Sequence, residues 1–152
     1  MMIPQLRHVA ELHVEVGAPI TIGETRDGVR RIIPINGGRI RGAGLNGIVV
    51  PGGADYQLIR ADGFTTLDAR YALKLDDGAS IYIVNTGVRC GEPEVMASIT
   101  RGEIVDPDRV YFRTTPSFET ESAEHRWMTR SLFVASGARY PDRVELNFFV
   151  VD

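Results

Sequence analysis

The chain has 152 residues, 43% of them hydrophobic and 24% charged, with a formal net charge of −3. That is long enough to bury one core without staples, and it predicts a single domain over residues 1–152. The 17 basic residues form no Lys/Arg run, so nucleic acid is not an expected partner; no apolar run is long enough to span a bilayer; and the lone Cys90 excludes an internal disulfide and suits a reducing cytoplasm.

The opening MMIPQLRHVAELHVEV lacks the uninterrupted apolar stretch of an export signal, which again predicts a cytoplasmic protein. Within it LRHVAELHVEV reads as a first strand. VRRIIPI, GIVVPG, DYQLIRA, TTLDARYALKL, ASIYIVNTG, VYFRTTPSFET, WMTRSLFVASGARY and RVELNFFVV follow as further strands. Turn signals at Asp27-Gly28, Asp62-Gly63 and Asp77-Gly78 separate several of them. No long segment shows helical spacing, and 16 glycines and 8 prolines punctuate the chain. The pattern predicts an all-β, mainly antiparallel fold of about eight to ten strands, a sandwich or a closed barrel. Residues 91–108 are the exception. Glu94–Ile99 has the makings of a short helix, entered by Pro93 and stopped by Gly102, as an insertion between barrel strands.

Several strands are apolar on both faces. Ile81 and Ile83 oppose Tyr82 and Val84, and Phe148 opposes Phe149. One face meets the interior; the other is left to the insertion or to a second subunit, and a homodimer is the assembly this suggests.

GAGLNG, residues 42–47, matches a dinucleotide fingerprint by letter. That motif needs a helix after its glycines, and here a strand pattern follows, so hairpin glycines account for it and no nucleotide cofactor is expected. No metal is expected either: His8 and His13 fall on opposite faces of one strand, and Cys90 has no ligand-spaced partner. No G-x-S-x-G elbow is present.

Three stretches carry more charge and aromatic character than a solvated face needs. In PGGADYQ, Asp55 and Gln57 share a face after two glycines. In TTLDARYALKL, Asp68 and Arg70 lie side by side, opposite Leu67, Ala69, Tyr71 and Leu73. In YFRTTPSFET, Tyr111 and Arg113 share a face and Glu119 follows a proline turn; Trp127 and Arg130 come from WMTR. Solvated cross-strand ion pairs, contributing about 0.2–1 kcal/mol each, are the structural alternative.

RRIIPINGGRIRG, PGGADYQLIRADG, LDARYALKLDDGASIYIVNTGVR, YFRTTPSFET and WMTRSLFVASGAR, taken in order, resemble domain-of-unknown-function family 3237, also catalogued as uncharacterised protein family 0311. The resemblance runs from about Leu6 to Val151. Tyr56 stands where the family more often has Trp, and Met128-Thr129 where it more often has Leu-Asn. The resemblance implies a compact lipocalin-like antiparallel barrel of typically bacterial origin, and brings no assigned activity. Carried over motif by motif, it marks Asp55, Gln57, Asp68, Arg70, Tyr82, Asn85, Tyr111, Arg113, Glu119, Trp127 and Arg130 as candidate site residues, since small barrels carry ligands in the mouth.

As an enzyme, such a protein would bind a small anionic or carbonyl-containing molecule and run metal-free acid–base chemistry of an isomerase, lyase or hydrolase type. Asp55, Asp68 or Glu119 would serve as base and Tyr82 or Tyr111 as proton donor. Gln57, Arg70, Asn85, Arg113, Trp127 and Arg130 would bind substrate. If Asp68 pairs with Arg70 it becomes a poorer base. A non-catalytic binding barrel and a structural homodimer module are the alternatives. An apolar lumen would instead place Asp68 and Arg70 outside, beneath the insertion.

Overall fold

Antiparallel hairpins carry the chain around a ring. The computed structural model describes residues 1–152. Its strands are β1 (Leu6–Val16), β2 (Ile20–Thr25), β3 (Gly28–Gly42), β4 (Gly47–Ile59), β5 (Thr65–Leu75), β6 (Ser80–Gly91), β7 (Val110–Glu119), β8 (Leu132–Arg139) and β9 (Arg143–Val151). A helix, α1 (Pro93–Thr100), follows β6, and 3-10 turns occupy Pro107–Arg109 and Arg126–Arg130. The sheet order is β1-β9-β8-β7-β6-β5-β4-β3-β2, with β1 also paired to β3. That extra pairing closes eight strands into a barrel. β3 is long enough to serve two neighbours, pairing β2 through Gly28–Ile32 and β1 through Ile35–Gly42, so β2 stands beside the ring. Closure leaves fewer unpaired strand edges, which an open antiparallel sheet would expose.

Alternation decides what faces inward. In β5, Thr65, Leu67, Tyr71, Leu73 and Leu75 are buried, while Thr66, Asp68, Arg70 and Lys74 point outward. One end of the interior is hydrocarbon. Leu73, Ile81, Ile83, Phe118, Phe133 and Phe148 fill it, with Phe118 edge-on to Phe133 at 4.9 Å. Each such buried side chain contributes about 1.5–3 kcal/mol. β7 and β8 share only two register pairs, Arg113–Ser136 and Thr114–Ala135. Beside that thin seam the turn at Arg126–Arg130 inserts buried Met128 and lays Trp127 against Phe133.

The insertion lies at the opposite end. α1 starts on Pro93 and stops before Gly102, whose φ of +81° only glycine adopts at no cost. It buries Val95, Met96 and Ile99, and Met96 lies against Gly63 in the β4–β5 turn. Arg31 Nη1 donates to the Thr100 carbonyl at 3.4 Å. The helix therefore does not cover the outer wall, as the two-faced strands suggested. Phe149 is instead half-buried under the edge of His8, 5.3 Å between ring centroids, and Tyr82 remains 38% exposed. Asp68 and Arg70 pair in solvent, with side chains 38% and 53% exposed, rather than beneath the insertion.

Barrel closure at β1–β3 depends on Gly38, which has φ +133° and sits where a Cβ would overlap the His13 carbonyl oxygen. Gly38→Ala is expected to lose at least about 1–3 kcal/mol of stability from backbone strain alone. Gly44→Ala, at φ +72° with nothing within 4 Å, should lose less. Chemical denaturation of both variants checks the ordering.

Candidate functional site

Inward-facing positions change from hydrocarbon to polar along the barrel axis. On β6 the inward face runs Ile81, Ile83, Asn85 and then Arg89. On β4, Val49 is followed by a break in register against β5 at Pro51-Gly52-Gly53, after which Asp55 and Gln57 turn inward. Tyr71 from β5, Thr114 from β7 and Arg139 from β8 complete the polar lining of a cavity of about 40 Å³. Val14, Ile33, Leu67 and Phe112 supply apolar wall. The space holds about three water-sized groups.

Asp55 is the lumen's carboxylate. Its Oδ2 accepts from Gln57 Nε2 at 2.9 Å and its Oδ1 from the Asp68 backbone N–H at 3.0 Å. Burial pushes the carboxyl above its ordinary value, outweighing both hydrogen bonds and the nearby charges of Arg89 and Arg139. Arg89 is 4% exposed, and burial draws its guanidinium down to about 10 against the opposing pull of Asp55, so it stays charged at neutral pH. Burial lowers Arg139 as well, helped by the like charge of Arg31. Neither Arg89 nor Arg139 has a carboxylate within ion-pair distance. Tyr71, fully enclosed and near Asp55, has its phenol pushed far up and keeps its proton.

The lining is under-satisfied. Tyr71 Oη, Asn85 Oδ1, Arg89 Nε, Thr114 Oγ1 and Arg139 Nη1 are buried without a protein hydrogen-bond partner, and all belong to residues lining this one cavity. Leaving such a group unsatisfied costs about 1–3 kcal/mol, and five on one cavity call for a partner that the protein itself does not supply.

Among the residues singled out by sequence, the structure brings Asp55, Gln57 and Asn85 into the cavity. The other strand residues lie on the outer wall, because their positions are out of phase with the inward face, and Trp127 and Arg130 lie in the turn at Arg126–Arg130. Arg70 Nε donates to Asp68 Oδ1 at 3.2 Å. Tyr82 is exposed beside that pair, and Glu119 is exposed at the end of β7. Arg113 stacks over the exposed Tyr111 ring at 5.2 Å and donates from Nη1 to the Phe112 carbonyl at 2.8 Å. Trp127 is 37% exposed on the turn before β8, and Arg130 is exposed there. Tyr71, Arg89, Thr114 and Arg139 are the cavity residues that the pattern did not single out. Counting in twos from Ile81 and Ile83 through Asn85 reaches Arg89, and from Phe112 reaches Thr114, which was the available signal.

Away from the barrel lumen, Asp77, Glu124 and His125 bring ligand-type atoms within 4.8 Å of one another. Here Asp77 Oδ2 meets buried His125 Nε2 at 2.6 Å, and that hydrogen bond holds the Asp77 carboxyl below its ordinary value. The contact ties the β5–β6 turn to the segment preceding β8 and engages the ring nitrogen that a cation would need.

A family model described as a protein of unknown function, DUF3237, matches residues 4–151. A UPF0311 protein from Rhodopseudomonas palustris is 45% identical in sequence over 148 residues, 96% of this chain and 97% of that one. The crystal structure of the R. palustris protein of unknown function aligns with a TM-score of 0.94 and 41% identity over 100% of this chain and 99% of the other. A β-barrel-like protein from Acinetobacter baumannii aligns at TM-score 0.88 and 36% identity, covering 100% and 98%. An enzyme from Penicillium herquei shares the fold, at TM-score 0.75 and 17% identity over 100% and 97%.

The raised carboxyl sets a stability signature. A group whose folded-state value lies above its unfolded one contributes stability at low pH that is lost as pH rises through the folded value. Asp55→Asn, with the Gln57 amide free to flip and donate or accept, should therefore raise Tm at pH 7.5. That advantage should shrink towards pH 4, as followed by calorimetry.

Proposed function

For this chain, which belongs to the DUF3237 family, we propose binding of a small organic anion at the polar end of the barrel lumen. The observation that carries this reading is the convergence of unpartnered buried polar atoms with two unpaired guanidinium groups on one cavity. Charge decides the ligand class. Arg89 and Arg139 face the single carboxylate of Asp55, so the lining is net cationic and favours a carboxylate or an electron-rich carbonyl oxygen over a cation. Phe112, Val14 and Leu67 limit the room around that anion to a short apolar body. A cytoplasmic setting fits the free thiol of Cys90.

The arginines of the outer wall have no such task in this reading. Arg70 is already paired with Asp68 and more than half exposed, so water screens whatever it attracts. Acetate and pyruvate serve as probes, with binding read from amide chemical shifts. Arg89→Met and Arg139→Met should each weaken binding by at least about tenfold, in line with removing one partner of a buried charged contact. Arg70→Met and Arg113→Met should leave it unchanged. Probe-induced shifts confined to the outer wall would refute the lumenal site.

A further inference from the structure

Asp55 is placed as a reagent rather than as a counter-ion. A carboxylate serving only to neutralise Arg89 and Arg139 would meet them in a forked ion pair, the strongest contact available to it. Instead both its oxygens are steadied from the β4–β5 wall, one by Gln57 Nε2 and one by the Asp68 backbone N–H. The guanidinium groups stand on β6 and β8. Tyr71, which retains its proton, stands on β5 with its hydroxyl unpartnered. A fixed base and a separate set of fixed donors around one small space is the arrangement that proton removal beside a carbonyl requires.

We propose that the lumen enolises short-chain oxo acids, with Asp55 moving the proton while Arg89, Arg139 and Tyr71 hold the carboxylate and the developing enolate oxygen. The inference rests on the anion-binding reading above and deepens it by naming the reaction and substrate class. In the forward step the C–H bond next to the carbonyl breaks and its proton bonds to a carboxylate oxygen of Asp55. The electron pair left behind forms the C=C bond, and the carbonyl π pair moves onto oxygen, where the guanidinium and phenol donors meet it. Return of the proton to the same carbon restores the ketone; return to a conjugated carbon gives an isomer. No oxidant, reductant or co-reactant is consumed. Burial raises the basicity of Asp55 for this role, and the cavity of about 40 Å³ favours the smallest oxo acids.

The test is deuterium incorporation from D2O at C3 of pyruvate and 2-oxobutyrate, the carbon next to the ketone, followed by proton NMR with the full chain, alongside binding of the same probes by saturation transfer. Wild type should accelerate exchange at least about tenfold over buffer, with a rate that rises with pH through an inflection above the ordinary carboxylate range. Asp55→Asn should bind both probes and lose about 100-fold of the exchange rate. Tyr71→Phe should lose less. Acetone, which has the carbonyl but no carboxylate for the arginines, should exchange at the buffer rate. Binding of either probe without exchange above buffer overturns the proton-transfer inference and leaves the binding reading standing. Failure of wild type to bind either probe overturns both. Exchange undiminished in Asp55→Asn, or equally rapid with acetone, overturns the roles assigned to the carboxylate and to the guanidinium pair respectively. The wild-type rate and its pH profile decide the matter even if a variant does not fold.

Discussion

Two guanidinium groups and a carboxylate share a small enclosed space, and none of them is paired with another. Charges removed from water without a direct partner are held at a cost of several kcal/mol each. The remainder of the barrel has to supply that stability, and its other end is built to do so. Phe118, Phe133 and Phe148 pack with Ile81, Ile83 and Leu73 into an unbroken hydrocarbon layer beneath the polar one. The division of one interior into a hydrocarbon end and a polar end follows from that requirement. A lumen polar along its whole length would leave too little apolar burial to hold the ring closed.

Closure is also what assembles the site. Asp55 comes from β4, Tyr71 from β5, Arg89 from β6, Thr114 from β7 and Arg139 from β8, so five strands each contribute to one cavity. In a flat sheet Asp55 and Arg139 would lie several strands apart; the ring faces them across its bore. α1 lies at that end and takes the Arg31 guanidinium onto its last carbonyl, which keeps a further positive charge near the mouth. The helix is short, and its buried Met96 and Ile99 join it to the β4–β5 turn and to the start of β7.

The outer wall shows why charge alone does not make a site. Asp68 with Arg70, and Arg113 over Tyr111, are well-formed contacts of the same residue types found within. Water surrounds them, so their fields are screened and their contributions are of order 1 kcal/mol or less. Arg89, by contrast, lies across the lumen with its Nε unpartnered and its charge felt by Asp55. The same guanidinium is screened by water on one side of a strand and acts on buried charge on the other.

Strand alternation, Asp-Gly turns and the Pro93 to Gly102 bracket are local properties, written within a few residues, and they were enough to read an all-β antiparallel sandwich or barrel with a short helical insertion; the family resemblance was what pointed to the barrel. Asp55 and Gln57 were legible as site residues because they share one face after the paired glycines of PGGADYQ, and Asn85 through the family resemblance. Arg89 and Arg139 were not, because a guanidinium near a strand end looks solvated until the ring is closed around it. Nor could alternation say which face of TTLDARYALKL was interior. Either Tyr71 or Arg70 could have pointed to the lumen, since a period of two separates the faces without naming them. Only the curvature of the closed sheet, which places one face of every strand on a shared axis, made that choice and so decided which charges meet.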